Sequence, residues 1–134
     1  MGKLNKIISF DFDDTLCMSN GEPNKHMMDV LRYYAENGYR CYIVTARNKL
    51  HERAKWIANN QPGRVRVKDF IKEHGLPVKQ THFCNHEAKG PILKTIGVYK
   101  HYDDELEQVL SAREHGILST HIVDGREATD GTSE

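Results

Sequence analysis

Asp11, Asp13 and Asp14 stand within four residues of one another, directly after a short apolar run and just before Thr15. Farther along, Thr45 closes a second apolar run, Lys89 opens a helix-like stretch, and Asp103 and Asp104 close another run. In an open parallel sheet, ligands bind beyond the carboxyl ends of the strands. Three carboxylate positions, a hydroxyl and an ammonium would therefore share one edge. Carboxylates gathered in one place repel unless a cation joins them. A hard divalent ion with oxygen ligands meets that need, and Mg²⁺ is the expected one.

The elements that must position these groups show two alternating periods. Strand-like runs fall at residues 6–10, 40–44, about 80–84, 99–102 and 119–123. Short apolar runs bounded by turn residues suit strands buried on both faces. Between them lie helical stripes: Met27, Leu31 and Tyr34; Leu50, Ala54, Ile57 and Ala58; Val67, Phe70 and Ile71; Ile92, Leu93 and Ile96; Leu106, Val109 and Leu110. All five are expected to face the core. Pro91 suits a first helical position. The alternation predicts an α/β fold with three layers, a Rossmann-like, mostly parallel five-stranded sheet, and helices on both faces. Residues 1–124 make one domain, and the polar stretch 125–134 is expected to be a tail.

With the strand ends in place, the residues carry a resemblance. Asp11-Phe12-Asp13-Asp14-Thr15 resembles the D-x-D-x-T signature of the haloacid dehalogenase (HAD) superfamily of phosphatases. Val44-Thr45-Ala46-Arg47 is similar to its second motif, Lys89-Gly90-Pro91 to its third, and His101-Tyr102-Asp103-Asp104 to its paired-acid fourth. Four motifs in order, each at a strand end, are a far stronger signal than one alone. The resemblance implies a phosphoric monoester hydrolase. Asp11 would be the nucleophile that forms an aspartyl-phosphate. Asp13 would be general acid and then general base. Lys89 and Mg²⁺ would reduce the repulsion between carboxylate and phosphate. The Thr45 hydroxyl, Arg47 and the backbone N–H groups about Phe12 and Ala46 would hold the phosphoryl oxygens. The metal would take the Asp11 carboxylate, the Asp13 carbonyl and Asp104, with Asp103 behind it.

Spacing also bears on access. Thirty residues separate Thr15 from Thr45, and 44 separate Thr45 from Lys89. A short flap at 16–24 and the expected helices and strands use them all, so no cap domain is expected. An open site suits a phosphate at the end of a large molecule. Residues 46–79 hold nine Lys and Arg against three acids, whereas 103–134 hold nine acids against two. The plain reading is solvated helix faces. The sharper one is a basic flank for a polyanion. The second and fourth motifs are also similar to those of the 3′-phosphatase domains of polynucleotide kinase–phosphatases. Nucleic-acid 3′-phosphate ends, or nucleotides, are thus candidate substrates. No G-x-x-x-x-G-K-[ST] loop occurs, so no kinase function is expected.

Composition excludes other classes. Nineteen basic and nineteen acidic residues give zero formal charge, against a uniformly basic protein. No apolar run approaches a membrane span. Three spaced cysteines without Cys-x-x-Cys, and no export signal, suit a reduced cytoplasm. No obligate protein partner is evident. His82, Cys84 and His86 alternate, yet a closed zinc site wants a fourth ligand. Trp56 reads as packing, His101 as a core histidine, Lys94 as solvated, and Cys17 as lacking an activator. The competing function is a catalytically weak domain of the same kind that binds a phosphorylated partner. Phosphotransfer to an alcohol is a third, disfavoured where water is not excluded.

Overall fold

A computed structural model describes residues 6–128. β1 is Ile7–Phe10, β2 Arg40–Thr45, β3 Val78–Phe83, β4 Val98–Asp103, β5 Leu118–Val123 and β6 Arg126–Glu127. The helices are α1 Lys25–Glu36, α2 Ala54–Asn60, α3 Val67–His74, α4 Lys89–Ile96 and α5 Leu106–Glu114. The strands form one sheet in the order β3-β2-β1-β4-β5-β6. β1 to β5 run parallel, and β6 pairs antiparallel with β5. This is a Rossmann-like α/β fold, as the alternation of periods required. Strand order reverses between β1 and β4, which places the ligand crevice of such a sheet at their carboxyl ends.

β1 is buried along its whole length, and its side chains alternate between two cores. Ile8 and Phe10 pack with Met27 and Leu31 of α1, Ile43 of β2 and Phe70 of α3. Ile7 packs on the other face with Tyr42, Val44, Leu93 of α4 and Ala112 of α5. Each fully buried apolar side chain of this size contributes about 1.5–3 kcal/mol. Two independent cores therefore clamp β1, and the backbone that leaves it at Asp11 starts from a rigid origin.

Several expectations change. The stretch expected to be a tail contains a sixth strand, β6. Asp124 (φ 52°) and Gly125 (φ 82°) both take positive φ, and Val123 pairs with Arg126 across them. Positive φ at both central residues is what a two-residue hairpin needs, and Asp-Gly is a strong signal for it. The rest of that expected tail, residues 129–134, lies outside the described residues. Pro91 is the third residue of α4, where its missing N–H still costs no intrahelical bond. The stripe from Leu50 to Ala58 is not one helix. A 3₁₀ turn at Leu50–Glu52 ends at Arg53, whose backbone is extended, before α2 begins. Leu50 is left 65% exposed, and Leu106 and Leu110 of α5 are also exposed. Their stripes have core partners only at Ile57, Val109 and Ala112.

Between β1 and α1 the chain makes a short flap, tied where Cys17 bridges Asp13 and Pro23. Asn24 caps α1 by accepting from the Met27 N–H, and its amide donates to the Thr15 and Gly125 carbonyls. Between β2 and β3 lie only the 3₁₀ turn, α2 and α3. Among the described residues no inserted domain covers the sheet edge. No helix among them is long and apolar enough to cross a membrane.

Candidate active site

The crevice between β1 and β4 gathers most of the expected residues. Asp11 follows β1 and donates its backbone N–H to the Tyr102 carbonyl, which ties this aspartate to β4. Lys89 is the first residue of α4, and its side chain is fully buried. Its ammonium lies 2.9 Å from Asp11 Oδ1 and donates to Asp103 Oδ2 at 2.7 Å. The Lys89 backbone N–H donates to Gln108 Oε1 of α5, which fixes the start of the helix. Asp11, Asp103 and Asp104 each bring a carboxylate oxygen within 4.8 Å of the others.

The two neighbouring acids of β4 do different work. Asp103 is completely buried, and both of its oxygens are engaged. Oδ2 takes Lys89 and His101 Nε2 (2.8 Å), and Oδ1 takes the Glu105 N–H. Asp104 is half-buried, with a carboxylate oxygen within 4.8 Å of one on Asp11. His101 is indeed a buried histidine with both nitrogens satisfied, but its partners make it part of the site. Its Nδ1 meets the Ser9 hydroxyl at 2.7 Å. A carboxylate only accepts, so Nε2 carries the proton and Ser9 donates to Nδ1. Ser9, His101, Asp103, Lys89 and Asp11 thus form one buried chain across β1, β4 and α4.

Burial sets the proton affinities, and the neighbours then modify them. Burial raises the Asp11 carboxyl, and the Asp103 charge adds to it, so it stays well above the usual carboxylate range despite Lys89. Burial also raises Asp104, against the opposing effect of Asp11. Asp103 goes the other way: the His101 hydrogen bond and the Lys89 charge overcome burial and hold it low. Burial would lower Lys89, but Asp11 and Asp103 more than reverse that and keep it charged. Burial keeps His101 below its ordinary value, hence neutral.

Asp13 lies outside this cluster. Arg47 grips it with two N–H donors, Nε to Oδ2 at 2.9 Å and Nη2 to Oδ1 at 2.8 Å, and Arg64 adds a third at 3.2 Å. Burial pushes Asp13 up, yet the two arginines hold its carboxyl below the usual value. Arg47 itself is buried and divided between Asp13, Glu52 and the Val65 carbonyl. Arg64 is exposed and, with Arg47, lines a cavity of about 400 Å³ beside Asp13, Asp14 and Asn20. Glu52 was invisible as a site residue. It is one acid within a basic run, yet it is buried, bonding Arg47 and the Val67 N–H.

The remaining expected residues sit close by. Thr45 is buried at the end of β2, and its hydroxyl accepts the Arg47 N–H at 3.3 Å. Phe12 packs edge-on against Phe70, with the Arg47 guanidinium over its ring, so only its backbone can face a ligand. None of the backbone hydrogen bonds of the turns and loops uses the N–H of Phe12, Asp13 or Ala46, or the Asp13 carbonyl. Asp14, Asn85 and His86 hold positive φ in the two loops at this edge. Such strain gathers at functional sites. His86 donates its N–H to the Ala46 carbonyl, which locks the loop after β3 to the end of β2.

His82, Cys84 and His86 do not gather: His82 meets Gln80, and Cys84 lies beyond the end of β3. The one acid, histidine and cysteine group poised for a metal among the described residues is Asp11, Asp103 and Asp104. An all-oxygen set suits Mg²⁺ better than zinc. Burial raises the Cys17 thiol to about 11, so it is no second nucleophile.

Known proteins place this geometry in context. A family model described as haloacid dehalogenase-like hydrolase matches residues 8–61, the stretch from β1 to the end of α2. Among solved structures, one titled "Structure of Pnkp1/Rnl/Hen1 complex" superposes with a TM-score of 0.60 at 15% identity. The match covers 87% of this chain and 45% of that one, so this chain spans less than half its length. At that identity the likeness is one of fold. No curated protein matches.

Proposed function

We propose that this protein is a Mg²⁺-dependent phosphomonoesterase that works through an aspartyl-phosphate on Asp11. One observation carries the reading: the buried Lys89 ammonium, shared by Asp11 and Asp103 where strand order reverses. The cation lies against the would-be nucleophile, where it can also offset charge on an incoming phosphoryl group. An Asp11 oxygen attacks phosphorus, and the bond from phosphorus to the ester oxygen breaks. Lys89 offsets the charge that gathers on the phosphoryl oxygens. The Thr45 hydroxyl and the N–H groups of Phe12 and Ala46 hold those oxygens in line.

Asp13, ionised beside its arginines, takes up a proton from solvent on leaving them, gives it to the leaving oxygen, and then takes one from the water that cleaves the aspartyl-phosphate. It must first come away from Arg47 and Arg64. An anionic substrate competes for those same guanidinium groups, which is the role left for Arg47 in substrate binding. Asp11, Asp104 and the Asp13 carbonyl would hold Mg²⁺, and the ion, when bound, would offset phosphoryl charge. Asp103, committed to Lys89 and His101, positions the lysine. The uncovered edge favours a phosphate at the end of a larger molecule, with nucleic-acid 3′-phosphate ends or nucleotides as the substrate class.

The test is phosphate release from an aryl phosphate, with and without Mg²⁺, in the parent protein and in Asp11→Asn. Mg²⁺-dependent turnover that disappears in the variant is the expected result. Turnover that survives in Asp11→Asn would remove the mechanism. Silence in both would favour the competing role, a domain that binds a phosphorylated partner.

A further inference from the structure

The basic run of the sequence becomes a surface that starts at the catalytic edge. From 46 to 68 there are seven Lys and Arg and one acid, Glu52. Glu52 is buried and occupied by Arg47 and the Val67 N–H, so it does not offset the surface charge. Three depressions follow one another across this surface. The cavity at Asp13 shares Arg47 and Arg64 with a small one beside His86 and Gln61. That one shares His51 with a groove of about 490 Å³ lined by Trp56, Arg53, Lys55 and Asn59.

The far groove has an aromatic floor. The exposed His51 ring lies parallel to Trp56, with centroids 4.1 Å apart and planes 5° from parallel. Trp56 is part of neither core cluster, and α2 buries only Ile57. Trp56 is partly buried and packs face to face on His51, outside both core clusters. Leu50 beside it is exposed because the 3₁₀ turn breaks the helical stripe. A flat ring stack between cations, linked to the proposed phosphate-handling edge by depressions that share lining residues, matches one ligand chemistry. Stacked bases with phosphates between them need aromatic platforms flanked by positive charge.

We infer that His51 and Trp56, with Arg53 and Lys55, form a base-stacking subsite for single-stranded polynucleotide whose terminal phosphate lies at Asp11. This rests on the proposed phosphatase reading and specifies how its substrate is held.

Trp56 is the only tryptophan, so its fluorescence reports occupancy directly. The protein is the Asp11→Asn variant, which should bind without turnover. The probes are hexathymidylate and hexauridylate bearing a 3′-phosphate, compared with a 3′-mononucleotide. Saturable quenching by the hexamers, weakened by added salt, is expected, with little from the mononucleotide. In anisotropy with labelled hexamers, Trp56→Ala should weaken binding roughly 5- to 150-fold, and Trp56→Phe should recover most of it. Thermal melts of both variants check folding. Equal quenching by hexamer and mononucleotide, or unaltered binding in Trp56→Ala, would overturn the subsite. If the aryl phosphate is still hydrolysed, the phosphatase reading stands without it. Hexamer binding by Asp11→Asn when the parent protein hydrolyses neither aryl phosphate nor hexamer would instead sink the phosphatase reading and leave the subsite.

Discussion

Lys89→Met is the most informative single change. The side chains have similar length, so the substitution removes a charge with little loss of volume. Asp11 and Asp103 then face each other with no cation between them, in a cluster whose oxygens lie within 4.8 Å. Removing one partner of a buried ion pair costs about 3–5 kcal/mol. Here two buried acids lose the same partner, which favours the upper part of that range. An unfolding entropy of ~2.1 cal/mol/K per residue gives ~0.28 kcal/mol/K for this chain length. The expected fall in Tm is therefore about 11–18 °C. The assay is a thermal melt at pH 7 in chelator, followed by a double-mutant cycle with Asp103→Asn. The pair should be clearly less than additive, because Asp103→Asn removes one of the stranded charges. Lys89 is held above its ordinary pKa, so its contribution is complete below about pH 10 and is lost only as pH rises past the folded value. At pH 7 the parent has the full effect. A Tm drop under about 4 °C would refute the reasoning, since it would mean that Lys89 does not hold these carboxylates together.

Three further outcomes follow from the same structure. Ser9→Ala or His101→Gln should cost about 1–3 kcal/mol of stability by leaving a buried polar partner unsatisfied; both should also lower kcat more than they raise KM, because Asp103 no longer holds Lys89 still. Asp11 and Asp104 are raised acids, so these two groups bind protons more tightly in the metal-free fold than unfolded, and the stability they contribute is lost as pH rises from about 4 towards their folded values. Mg²⁺ should therefore raise Tm more at pH 8 than at pH 5, and an equal gain at both would contradict the placement of the ion. Gly90→Ala would set a Cβ 2.4 Å from the Ser111 carbonyl oxygen and 2.5 Å from His115 Nδ1; overpacking of α4 on α5 should cost about 1–3 kcal/mol, read by chemical denaturation.

Much of this was legible because strand ends are one-dimensional features. An apolar run that stops at Asp11, Thr45 or Asp103 announces both a buried strand and a polar group at its carboxyl end, and parallel pairing then brings those ends to one edge. Lys89 was legible in the same way, as the start of the next helix. Helical stripes were less dependable. Leu50, Leu106 and Leu110 have the spacing of core residues, but a stripe only says which face is apolar, not whether another element covers it. The hairpin at Asp124-Gly125 is signalled by its turn residues, but a second strand of two residues is too short to show a period.

What local sequence by itself determined was the order of elements and the chemical types delivered to the sheet edge. Tertiary structure alone decided which group holds which. Asp103 and Asp104 are neighbours in the chain, yet one is enclosed between Lys89 and His101 and the other stays half-open beside Asp11. That choice depends on the register that sets Ser9 beside His101 and on α4 lying over both strands. The partners of Asp13 are 34 and 51 residues away, and the burial of Glu52 requires α3 to be in place. Proton affinity is decided by desolvation and by charges within a few ångströms. Neither exists until distant segments have packed, so the same aspartate type becomes a raised acid at 11, a lowered one at 103 and an arginine's partner at 13.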